Sequence, residues 1–364
     1  MKIGLKSACV INCFFLMIAT LSVSASDKRP SVIQIFKNAV DDGFSGTVLV
    51  RHRGEIVLNE AAGFANRDLK TLNTVDTVFD MGSITKQYTG ALIMALQEAK
   101  LLTVEDTLAD HFDNVREDKA DITIHQLLTH TAGFVDGFGA DEDPIDRDDY
   151  LLLAWTTQLD YSPGTKHRYS NVGYSIAAAI AEIVTGQSYE AALNKYILEP
   201  AKLSETGYLQ PDWSNHTLAI GYRERHSLEE MSSWAEDGPY WNLRGNGGLL
   251  TTTSDLLKWH DALSGEVVLN ANSIETMQSP HVDETLGRKD ADESGVRFYG
   301  YGWVIQNWSS VGVVHMHNGG NGYFYAFIGR SIDEDSVIVM LSNEHNDAAD
   351  RLVLALANAL APDE

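Results

Sequence analysis

Ser83 and Lys86 stand three residues apart at the start of the apolar stretch 84–97. On a helix, positions i and i+3 share a face, so the lysine amine can return to the serine hydroxyl. A serine hydroxyl is a weak nucleophile at neutral pH and needs a base within hydrogen-bond reach. At a helix start, Ser83 would also feel the positive end of the dipole and keep a backbone N–H free for an oxyanion. The same pair reads equally as a helix cap and a lysine whose head stays in water. Two later stretches carry further candidates. In Tyr169-Ser170-Asn171 the first and third side chains point the same way if the backbone is extended. A cation near Tyr169 would favour its phenolate, and the alternative is an aromatic core anchor followed by an Asn cap. His317-Asn318-Gly319-Gly320 follows a strand-like run, and its two glycines let backbone pass close to a ligand or simply form a turn.

These residues need elements to bring them together. Residues 31–40 carry a helical pattern, and "SGTVLVRHRGEIVLNEAAGFAN" alternates around Arg53-Gly54 as a hairpin. The spacing predicts helices over 84–100, 122–130, 147–158, 172–186 and 188–198. A short strand and a helix follow in "GLLTTTSDLLKWHDAL". The runs "YGYGWVIQNW", "VGVVHMH", "GYFYAFIGR" and "DSVIVMLSN" read as strands before a closing amphipathic helix. Strands at both ends of a helical middle imply a mixed α/β fold, an antiparallel sheet flanked by helices with a helical domain inserted. The expected division is a sheet subdomain of about 30–80 plus 245–364 and a helical one of about 81–244. A groove between the two is a natural ligand site.

The chain has 364 residues and 44% hydrophobic content, enough for a large core. Its first 25 residues have a basic start, an apolar run interrupted by Asn12, and small residues at Val23-Ser24-Ala25. This is the layout of a signal peptide cut after Ala25, and the apolar run is short for the roughly 20 residues a spanning helix needs. The mature protein, 26–364, is therefore expected outside the cytoplasm, periplasmic or secreted, without a membrane span. Both cysteines, Cys9 and Cys13, would leave with the leader, which removes disulfides, cysteine nucleophiles and thiolate metal sites. The formal charge of −24 repels phosphate backbones and argues against nucleic-acid partners. His315 and His317 share a strand face and invite a zinc reading, but zinc needs a third and usually a fourth ligand, and His345 is the only tempting candidate. No metal and no cofactor are expected. His125 and His130, flanking an apolar turn, read as structural.

Ser-x-x-Lys, Tyr-x-Asn and a late His-x-Gly, in this order, resemble the serine β-lactamase and penicillin-binding-protein superfamily. The nearest resemblance is to its class C-like branch, with family VIII esterases and D-amino-acid peptidases. "HQLLTHTAGF", "GGLLTTTSDLLKW" and "YGYGW" add to it, and it covers about residues 30–360. The resemblance implies a β-lactamase/transpeptidase-like fold and an acyl-enzyme mechanism on esters or amides. It implies Ser83 as nucleophile, Lys86 as its cationic or basic partner and Tyr169 as proton shuttle. Asn171, His317, Gly319 and Gly320 would bind substrate, and the N–H groups of Ser83 and Gly320 would form the oxyanion hole. The partner is then a small-molecule ester, D-amino-acid peptide or β-lactam. A class C-like β-lactamase, a DD-carboxypeptidase and a catalytically silent penicillin-binding sensor are the alternatives. One departure stands out: class C β-lactamases begin the third motif with lysine, and here it is His317. A histidine with an ordinary pKa near 6.5 is mostly neutral at pH 7.5, so weak β-lactam turnover is expected. Binding of carboxylate-bearing substrates is expected to improve as His317 gains a proton between pH 8.5 and 5.5.

Overall fold

The computed structural model describes residues 30–284, 296–308 and 311–361. The expected leader, 1–25, lies outside the described residues. The chain opens with α1 (Val32–Asp41), β1 (Gly46–His52), β2 (Glu55–Ala62), β3 (Phe64–Asn66), β4 (Thr71–Leu72) and β5 (Phe79–Asp80). A helical stretch follows: α2 (Thr85–Glu98), α3 (Leu108–His111), α4 (Ile124–Leu128), α5 (Arg147–Thr156), α6 (Asn171–Thr185) and α7 (Tyr189–Leu193). Then come β6 (Gly221–Arg223), β7 (His226–Leu228), β8 (Leu250–Thr251), α8 (Thr253–Ser264), α9 (Ala271–Met277), β9 (Val282–Asp283) and β10 (Arg297–Tyr299). The last elements are β11 (Val304–Trp308), β12 (Gly312–Gly320), β13 (Tyr325–Ser331), β14 (Ser336–Ser342) and α10 (Asp347–Leu360).

The main sheet has eight antiparallel strands in the order β2-β1-β14-β13-β12-β11-β10-β9. The expected hairpin turns at Arg53-Gly54, both with positive φ, which lets a two-residue loop follow the twist of the strands. The two ends of the chain meet at the β1–β14 pair, Gly46 opposite Ser342. β14 is buried along its whole length because both of its faces are covered. Val337, Val339 and Leu341 join the core under α2 and α8, whereas Ile338 and Met340 join the core beneath α1 and α10. A strand buried on both faces reads as a continuous apolar run, which is what "SVIVML" shows.

Several boundaries differ from the spacing, each for a local reason. The helix expected from 84 begins with a 3-10 turn at Gly82–Ile84 before α2. The one expected over 122–130 shrinks to α4, fixed by a Thr123–Gln126 capping box and ended before His130, whose φ is +57°. The helix expected over 188–198 runs as α7 into a π turn, Asn194–Leu198. Asn171 does not cap α6; it is the first helical residue and Ser170 is the cap position.

Because β14 serves two cores, Leu341→Ala and Met340→Ala each leave a cavity on a different face. Each is expected to cost about 2–5 kcal/mol in a denaturant titration. A strand with one solvated face would instead lose stability at only one of the two positions.

Candidate active site

Two lengths of backbone meet at the site. Gly82 takes φ +52°, a left-handed conformation natural to glycine, and turns the chain from β5 into α2. Against it lies the end of β12: a Cβ on Gly319 would overlap the Met81 carbonyl oxygen, and one on Gly82 would press on the Gly320 nitrogen. Ser83 therefore sits where only glycine backbone can pass.

Lys86, one turn on, is fully buried. Its amine reaches Ser83 Oγ at 3.0 Å, Asn171 Oδ1 at 2.7 Å and the Asn246 carbonyl oxygen at 2.7 Å. The surface-lysine alternative is thereby excluded. Burial pulls the Lys86 pKa down to about 7, with Asp141 and Asp136 opposing the shift from a distance. The amine also lies 4.8 Å from the centre of the Tyr169 ring. That cation does not make a phenolate, contrary to the expectation. Burial pushes the Tyr169 phenol above its usual range, and its hydrogen bond with Ser83 only partly offsets this. Tyr169 rests as a neutral O–H group at neutral pH.

His317 departs further from expectation. Its ring is buried, donates from Nδ1 to the Asn318 carbonyl at 2.6 Å and accepts at Nε2 from the Tyr299 hydroxyl at 3.0 Å. Burial, reinforced by the nearby Lys86, drives its pKa down to about 3. The imidazole therefore stays neutral across pH 5.5–8.5, and neither nitrogen is free for a substrate. The expected gain of a proton in that window is corrected by this environment. His130, read as structural, packs its ring 4.3 Å from that of Tyr169 and accepts the Ser170 N–H at 3.1 Å. His125 bonds the Tyr301 hydroxyl at 2.7 Å. His345 stacks on Tyr325 and does not join His315 and His317. No group of three or more potential metal ligands occurs among the described residues.

The structure thus brings Ser83, Lys86, Tyr169, Asn171, His317, Gly319 and Gly320 into one place. Beside them opens a cleft of about 610 Å³, lined by Tyr169, Tyr299, His317 and Asn318. In its outer wall Arg168 pairs with Asp160, and Arg297 with Glu284 at 3.1 Å. Asn246 was not expected at the site. Asn246 contributes a main-chain carbonyl, which any residue type offers, and its side chain is held by Ser175 and the Asn242 carbonyl. The glycines around it, Gly245 and Gly248 with φ near +80°, were the available sign of a close approach.

Residues 32–362 match the family described as Beta-lactamase. Penicillin-binding protein 4* of Bacillus subtilis (strain 168) is 27% identical over 329 residues, 84% of this chain and 69% of that protein. Protein flp of Staphylococcus aureus (strain MW2) is 24% identical over 90% of this chain and 66% of its own length. The chain thus spans about two thirds of these relatives. Among solved structures, the octameric penicillin-binding protein homologue from Pyrococcus abyssi superposes with a TM-score of 0.75 at 22% identity, over 89% of this chain and 76% of that one. With a match across nearly all of its described length and this fold, the chain belongs to the beta-lactamase family.

Proposed function

We propose that this protein is an exported serine hydrolase that cleaves ester or amide bonds through an acyl-enzyme on Ser83. The observation that carries this reading is the 3.0 Å contact between Ser83 Oγ and a fully buried lysine amine. A group whose pKa sits near neutrality is matched to general-base work at physiological pH. In the proposed sequence neutral Lys86 takes the Ser83 proton as Oγ attacks the carbonyl carbon. The N–H groups of Ser83 and Gly320 receive the oxyanion. As the tetrahedral intermediate collapses, Tyr169, held neutral, passes its proton to the leaving group and takes back the proton that Lys86 received from Ser83, and a water then attacks the acyl-enzyme by the reverse route. Asn171 and the Asn246 carbonyl hold Lys86 throughout. Lys86 rather than Tyr169 is the first base in this scheme, because burial lowers one pKa and raises the other.

Neutral short-chain esters are the favoured substrates, with D-amino-acid amides or peptides next. A neutral His317 offers no charge to a β-lactam carboxylate, and the cleft arginines are already paired. The Bacillus relative's name favours a second reading, a protein acylated by penicillins without turnover. A stoichiometric burst with no steady state would establish that alternative.

Ser83→Ala is expected to melt like the parent, take no fluorophosphonate label and lose roughly 10⁴–10⁶ in kcat toward an ester. Retention of most activity would refute the nucleophile assignment. The pH profile tests the base. A base must be deprotonated to act, so ester kcat/KM should fall below about pH 7, tenfold per pH unit, as Lys86 gains its proton. A profile flat down to pH 5 would remove Lys86 from that role.

A further inference from the structure

Asp80, the last residue of β5, is buried beside the site without touching the cleft. Its Oδ1 accepts the Gly82 N–H at 2.7 Å, and its Oδ2 accepts from Asn321 Nδ2 at 2.9 Å. Asn321 is locked in turn, its Oδ1 accepting the N–H groups of Tyr323 at 3.0 Å and Phe324 at 2.9 Å. The same Asn321 amide donates to the buried Glu230 at 3.2 Å. Asp80 therefore grips the residue before Ser83, and Asn321 is the residue after Gly320. One side-chain hydrogen bond ties together the two segments that carry the proposed oxyanion donors, one residue beyond each donor.

We propose that Asp80 and Asn321 are positioning residues for acyl transfer, a bridge that sets the separation of the Ser83 and Gly320 N–H groups; this rests on Ser83 being the nucleophile. An oxyanion hole acts only if its donors stand 2.7–3.1 Å from where charge develops. The glycine contacts between Met81–Ser83 and Gly319–Gly320 stop the segments from moving closer, but contact alone does not stop them from moving apart. The Asp80–Asn321 bond supplies that restraint. The burial it requires is unfavourable for stability, since two carboxyls face one amide. Burial raises Asp80 to about 7, and burial together with Asp80 drives Glu230 well above the usual carboxylate range. Asp80 receives two N–H donors and Glu230 one, so of the two carboxyls Glu230 is the one held protonated and Asp80 the one that keeps its charge.

The test is a polarity exchange. In Asp80→Asn the amide keeps the Gly82 bond but turns an N–H₂ toward that of Asn321; Asn321→Ala removes the bridge. Each is expected to lower ester kcat roughly 10²-fold, with KM changed less than about threefold. Affinity for a boronic acid, whose adduct places an oxygen in the hole, should fall by a similar factor. Asp80→Asn combined with Asn321→Asp reverses the polarity of the 80–321 bond, keeps the Gly82, Tyr323 and Phe324 N–H bonds as they are and requires a protonated Glu230 to donate to residue 321; it should recover at least tenfold over the single variants. Unchanged kcat in the folded single variants, a loss confined to KM, or no recovery in the exchange would overturn the bridge. Where a single variant fails to melt cooperatively, the exchange decides. Folding with kcat within about tenfold of the parent supports the bridge; an inactive or unfolded exchange overturns it. A parent that takes no fluorophosphonate on Ser83 would overturn the hydrolase reading and the bridge together, whereas a labelled parent with indifferent variants overturns the bridge alone.

Discussion

A primary amine with no exposure to water is the constraint around which this molecule is arranged. Desolvating an ammonium is costly unless its N–H groups are all satisfied. Lys86 has three N–H groups when charged and three acceptors, drawn from the 3-10 turn just before α2, from the start of α6 and from the turn before β8. Two remote segments must therefore converge with the local turn within hydrogen-bond range of one atom. Much of the irregular backbone serves that convergence. The left-handed glycines at 82, 245 and 248 bring main chain where a side chain would obstruct it.

The aromatic and histidine shell follows from the same burial. Tyr169, Tyr174 and His130 exclude water around the amine, and Tyr299 ties up His317. Such a shell moves pKa values in opposite directions according to which form is charged. It drives the amine and imidazoles down and the phenols up. One environment thus separates the resting states of neighbouring groups, which is how acid and base roles become distinct at a single pH.

Sequence alone conveyed the parts of this arrangement that depend on side-chain type. The apolar run of β14 announces a strand, and the alternation around Arg53-Gly54 announces the hairpin. Ser83, Lys86 and Tyr169 stand out because few side chains can do their chemistry. What stayed hidden is carried by backbone or by distant neighbours. The Asn246 carbonyl has no signature, and Asp80 before a Gly-Ser pair resembles any surface acid. The expectation that His317 titrates near neutrality failed because burial comes from elements far away in the chain. Helix ends were misplaced where a 3-10 or π turn replaced the regular spacing.

The pairing of β1 with β14 has a consequence for how the chain is made. Gly46 and Ser342 are neighbours in the sheet although nearly the whole polypeptide separates them. For a chain that emerges N-terminus first, the strand that both cores require is among the last to appear. β1 and β2 must wait as an isolated hairpin, a form that is marginal in water. High contact order of this kind slows folding and prolongs the exposure of apolar strands. β12 comes late as well, so Ser83 meets Gly319 and Gly320 only near the end of synthesis. A nascent chain therefore carries the serine and its lysine long before it carries the strand that completes their surroundings, and the site arrives together with the closed sheet.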